Sequence, residues 1–129
     1  MSFTTTDCWV LFSVGFGKKG STLKNIISTG DVLNHAILTR EELEASLNKL
    51  LHNDYISNKG NKFLATNTAR KFYAENKKHF EGCIAELIRL SEILEQQPAK
   101  PGEINIIKIT EEEYENAMNK PKQGFKPNN

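Results

Sequence analysis

The chain has 129 residues, 38% hydrophobic and 26% charged, with a formal net charge of +1 at pH 7. That length suits one domain with an extension rather than two independent cores. No apolar run approaches the roughly 18 residues of a membrane-spanning helix, and the start, MSFTTTDCWVLFSV, lacks the basic stretch and small-residue cleavage site of a secretory signal; no membrane partner and a cytoplasmic location are therefore expected.

In chain order, Thr4 and Asp7 have capping-box spacing. Trp9, Val10, Leu11, Phe12 and Val14 follow without a clean period. A short helix buried on most sides is expected over 7–14, with a strand as the alternative because of the β-branched and aromatic content. The glycines of GFGKKGS end it. Leu23, Ile26, Ile27, Gly30 and Leu33 recur at steps of three and four, which predicts a second helix over about 22–34.

After the turn HAIL, Thr39 caps a third helix, with Glu42 in the reciprocal position. Leu43, Leu47, Leu50 and Leu51 form its buried stripe. Glu41, Ala45, Asn48 and His52 lie opposite, flanked by Glu42 and Lys49. A hairpin follows: Tyr55 and Ile56 lead in, Asn58 to Asn61 turn, and Lys62 to Ala65 return, with Gly60 supplying a positive φ. Tyr55 and Phe63 are expected to pack this hairpin onto the third helix.

A long helix is predicted from near Asn67 to Pro98. Its apolar stripe is wider than one small core needs, so a homodimer contact through Phe80, Ile84, Leu87, Ile88 and Leu94 is expected. QQPAKPG reads as a linker and EINIIKI as a strand in need of a sheet edge; Thr110 and Glu113 form another capping box for a short helix to about Asn119. The predicted organisation is a domain over 1–97, an extension over 98–119 and a disordered tail over 120–129. The fold class is mainly α with a small β-hairpin (α+β).

Charge is unevenly spread. Residues 39–54 are net −2, residues 55–80 net +5 and residues 81–97 net −3. The cations therefore gather around the hairpin and the start of the long helix, where a local positive field can attract phosphate.

The order of elements, and the segment ILTREELEASLNKLLHNDYISNKGNKFLATNTARKFY in particular, resembles the winged helix-turn-helix superfamily, and within it the small bacterial regulators of the PadR and MarR kinds. The resemblance covers roughly residues 5–95. It implies a DNA-binding transcriptional regulator that dimerises through a long C-terminal helix. The third helix would enter the major groove with Arg40, Glu41, Ala45, Asn48, Lys49 and His52, and the wing and its surroundings would hold phosphates of double-stranded DNA with Lys18, Lys19, Lys24, Lys59, Lys62, Arg70 and Lys71. One feature departs from that pattern. Glu41, Glu42 and Glu44 suit a cap and a helix dipole but repel phosphate. The alternative is a winged-helix protein–protein interaction module without DNA binding.

No chemistry-bearing constellation emerges. His35, His52 and His79 fall on three elements, His79 and Cys83 share only i, i+4 spacing, and Cys8 and Cys83 without CxxC spacing read as reduced core thiols. GFGKKGS is not a phosphate-binding loop, because the full spacing and the strand before it are missing. No nucleophile–base–orienter set can be assembled, so no enzyme, metal or cofactor is expected.

Overall fold

A computed structural model of the chain describes residues 2–34, 38–76, 83–99 and 106–118. Among these residues the protein is mainly helical with a small three-stranded antiparallel sheet. The first helix, α1, runs Thr5–Val14. Its start is decided by the reciprocal cap: Thr4 N–H donates to Asp7 Oδ2 at 2.9 Å, and Asp7 N–H donates to Thr4 Oγ1 at 3.2 Å. The missing hydrophobic period has a physical cause. Cys8, Val10, Leu11 and Val14 are all buried, so neighbouring faces of the helix are covered together. Cys8 donates its thiol hydrogen to the Ser91 carbonyl, and burial pushes its pKa up to about 12. It is a neutral core thiol.

β1 is only Ser21–Thr22 and leads directly into α2, Leu23–Asn34. α3 spans Arg40–His52, with the Thr39–Glu42 box formed as its sequence requires. β2 (Ile56–Lys59) and β3 (Lys62–Ala65) form the hairpin, in the sheet order β1-β3-β2. The strands reach further toward the tip than the expected four-residue turn, leaving Gly60 and Asn61, with Gly60 at φ +60°. β1 has no signature in the sequence, because two residues carry no periodicity. It closes on β3 through Gly20, whose φ is +80° and where a Cβ would lie 2.9 Å from Leu64 Cγ.

The core joins α1 to Ile26 of α2, to Leu43, Leu47 and Leu50 of α3, and to Ile56, Phe63 and Ala65 of the sheet. Tyr55 bridges Phe3 and Phe72 edge-on at 5.2 and 6.2 Å. Phe3, outside every predicted element, is one of the most deeply buried side chains.

The single long helix is not found. Its described parts are α4, Asn67–Asn76, and α5, Cys83–Glu95. The Arg89 guanidinium donates to the Asn76 carbonyl. Thirteen residues of straight helix would separate those groups by about 20 Å, so α4 and α5 are not parts of one rod. α5 packs instead on α1, and Leu94, expected between subunits, is 0% exposed inside the protomer. Ile88 is 50% exposed. The remaining positions expected in a dimer, Phe80 and the side chains of Ile84 and Leu87, lie outside the described residues, as do His35, His79, the side chain of Cys83 and the tail 120–129.

The extension differs too. Residues 106–110 join no strand. Thr110 and Glu113 do form their reciprocal cap, both bonds at 3.0 Å, and start α6, Glu111–Met118, which packs on α2.

Candidate functional site on the third helix

Arg40, Glu44 and Asn48 are spaced i, i+4, i+8 and so line one face of α3. On that face lies the extended segment 106–110. Asn48 Oδ1 accepts hydrogen bonds from the amides of Ile106 at 2.7 Å and Ile107 at 2.8 Å. Its Nδ2 donates to the Ile107 carbonyl at 3.0 Å and to the Glu44 carbonyl at 3.1 Å. Glu44 Oε2 accepts from the Ile109 amide at 2.7 Å, and an Nη of Arg40 donates to the Ile109 carbonyl at 2.8 Å. The same guanidinium is 3.2 Å from Glu41 and 3.7 Å from Glu44.

Three polar side chains thus grip one short segment through its main chain alone. Ile107 and Ile109 turn inward, with Ile109 in the core, while Ile106 and Lys108 are exposed. The isoleucine-rich stretch expected to be a strand forms none over 106–110; its side chains alternate outward and inward over 106–109, and α3 side chains take the place of a neighbouring strand's ladder. Beyond it the Tyr114 hydroxyl donates to the Leu38 carbonyl. Its pKa is raised, chiefly by burial and then by the charges of Glu41 and Glu42.

The expected groove-facing set is therefore divided. Asn48 is only 4% exposed, and Arg40 is held as described. Lys49 turns the other way, pairing with Asp7 at 2.9 Å, donating to the Ser2 carbonyl at 2.6 Å and lying over the Phe3 ring. Asp7 also accepts from Ser46 Oγ at 2.8 Å, so this ion pair is tied into the core. Glu41, Glu42 and Ala45 are exposed, and His52 is half-buried. Both cations of α3 are neutralised internally, and its open flank is acidic. By its position in the sequence Glu44 is only a dipole-matching carboxylate. Its role could be found only with residue 109 placed against it.

The finger behaves otherwise. Lys59 and Lys62 are exposed and directly opposite in the ladder, and Lys62 also faces Thr22, two residues before exposed Lys24. Lys18, Lys19 and Lys71 are exposed as well, and none of these six lysines forms an ion pair among the described residues. Arg70 is half-buried and donates to the Gly17 carbonyl at 3.4 Å. An open cleft of about 410 Å³ separates the hairpin and the start of α2 from segment 107–117, with Lys24, Asn58, Phe63, Lys108 and Glu113 on its walls.

Among the described residues no group of three or more His, Cys, Asp or Glu is placed to hold a metal, and no helix is long and apolar enough to cross a membrane. No family model matches the chain, and searches of curated proteins and of solved structures return no match.

Proposed function

We propose that the chain is a winged-helix protein–protein interaction module whose third helix binds polypeptide rather than bases. The element order α1, β1, α2, α3, β2, β3 and the antiparallel hairpin after α3 support the winged-helix reading. The observation that carries the function is the engagement of Asn48, the α3 residue best suited to adenine, by the main chain of Ile106 and Ile107. With Arg40 and Lys49 also engaged, α3 offers a DNA groove only Glu41, Glu42, Ala45 and part of His52. Carboxylates there oppose phosphate. The expected result is that the purified protein is not retained on duplex DNA at about 50 mM salt. Retention that weakens with salt and is abolished by Asn48→Ala would overturn this reading.

One observation favours a second reading, a regulator that grips the DNA backbone through its wing. Lys59 and Lys62 face each other across the hairpin, and neither forms an ion pair among the described residues. Like charges in directly opposed positions cost stability, a cost that an external polyanion relieves. On this reading, duplex retention persists in Asn48→Ala and disappears when Lys59 and Lys62 are both changed to Glu.

A further inference from the structure

The cleft between the hairpin and segment 107–117 has about 410 Å³ of space, and no residue of α3 lines it. Leu23, Phe63, Ile107, Ile109 and Ala117 give it an apolar lining, and around them stand Lys24, Lys108 and the exposed side-chain amides of Asn61 and Asn116. We propose that this cleft binds a small organic anion, with an apolar body against Phe63, Ile107 and Ala117 and a carboxylate held by the ammonium groups of Lys24 and Lys108. This site does not depend on what α3 binds.

The two lysines come from separate parts of the fold. Lys24 stands in the first turn of α2, and Lys108 belongs to the segment seated on α3. That segment is fixed on both sides of Lys108: Asn48 holds the amide and carbonyl of Ile107, while Glu44 and Arg40 hold the amide and carbonyl of Ile109. Lys108 is therefore presented by a held backbone, and little ordering of main chain opposes binding. Both lysines are exposed, and neither forms an ion pair among the described residues. The one carboxylate in the lining, Glu113, accepts from the Thr110 amide at 3.0 Å as part of the α6 cap. Cations outnumber it, and low-dielectric walls focus the resulting positive field.

The volume lies within the range of about 300–1,000 Å³ of small-molecule sites, which pair an apolar lining with a few convergent polar groups. Larger occupants fit less well. β1 offers an edge of two residues before α2 begins, too short to pair with an extended peptide. A single nucleic-acid strand needs a row of cations and exposed rings, whereas Lys59 and Lys62 lie outside the lining and Phe63 is buried. Residues 119–129 of the chain itself carry Lys120, Lys122 and Lys126, which Lys24 and Lys108 repel.

The test is an NMR titration of the full-length protein with hexanoate, 1-hexanol, hexylammonium and acetate at constant ionic strength. Hexanoate is expected to move the amides of Lys24, Phe63, Lys108 and Ala117 saturably, with a Kd of about 10 mM or tighter. It should bind about fivefold more tightly than 1-hexanol, the gain from two exposed ion pairs. Hexylammonium should bind more weakly than either, and acetate, which has no apolar body, should not bind measurably. Lys24→Gln combined with Lys108→Gln leaves 1-hexanol binding unchanged and removes the advantage of hexanoate. Lys71→Gln, at an exposed lysine outside the cleft, changes neither.

Equal binding of hexanoate and hexylammonium, an advantage that survives the double lysine change, or shifts centred on other amides overturn the proposal. So does the absence of a saturable shift at about 50 mM hexanoate. Hexanoate binding roughly tenfold tighter in a chain ending at Met118 would make residues 119–129 the occupant, a tethered competitor, and would overturn the assignment to a separate small molecule.

Discussion

At the scale of single residues, Asn48 concentrates more of the site than any other side chain. It is buried, and each of its polar atoms makes two hydrogen bonds. Removing the amide leaves two N–H groups and the Ile107 carbonyl without their α3 partner. Unsatisfied buried groups cost about 1–3 kcal/mol each, partly relieved by water once the segment lifts. Asn48→Ala is therefore expected to lower stability by about 2–4 kcal/mol in urea denaturation, and to speed exchange of the Ile106 and Ile107 amides. A change below about 0.5 kcal/mol would mean that the segment is not held through this residue. Nothing in the local sequence distinguishes Asn48 from an exposed helix asparagine. Its periodic position, opposite the leucine stripe, pointed to solvent or a ligand, and the ligand is the chain's own backbone.

At the scale of elements, caps and turns were legible because they are local. The Thr4–Asp7, Thr39–Glu42 and Thr110–Glu113 boxes all form, since three residues of spacing suffice for their geometry. β1 was not legible, because its existence depends on Gly20 admitting β3. Gly20→Ala meets both a positive φ and a contact of 2.9 Å with Leu64 Cγ. It should cost about 2 kcal/mol, measured by thermal unfolding, whereas Gly17→Ala, with open space around its Cβ, should cost little. α6 is anchored by the Tyr114 hydroxyl, and its raised pKa carries a pH dependence. The fold favours the neutral phenol, so this contribution is complete below the ordinary tyrosine pKa of about 10 and is lost as pH rises through the raised value. Lysines titrate in the same range, so the wild type is compared with Tyr114→Phe from about pH 8 to about pH 11. The stability difference between the two should shrink at the alkaline end, and an unchanged difference would show that the hydroxyl is not anchoring α6.

At the scale of the whole molecule, the wide apolar stripe of residues 67–97 pointed to a second subunit. In the fold, Leu94 is satisfied by the chain itself, with α5 lying on α1. Leu94→Ala should therefore destabilise the protomer by about 2–4 kcal/mol, equally at low and high protein concentration. A loss that grows on dilution would restore the subunit contact, because only an oligomer links stability to concentration. Ile88→Ala, at a half-exposed position, should change little.

The amino-acid sequence by itself determined the helix starts, the hairpin with its positive-φ glycine, the leucine face of α3 and the cluster of cations on the finger. These follow from interactions within a few residues, or from a periodicity that any partner surface would satisfy. Only the tertiary structure decided what the polar face of α3 meets and where the surplus apolar surface goes. The bonds from Asn48 to Ile106 and Ile107 span 58 and 59 residues of chain, and a hydrogen-bonding side chain looks the same in sequence whether its acceptor is a base, a phosphate or a carbonyl of its own backbone.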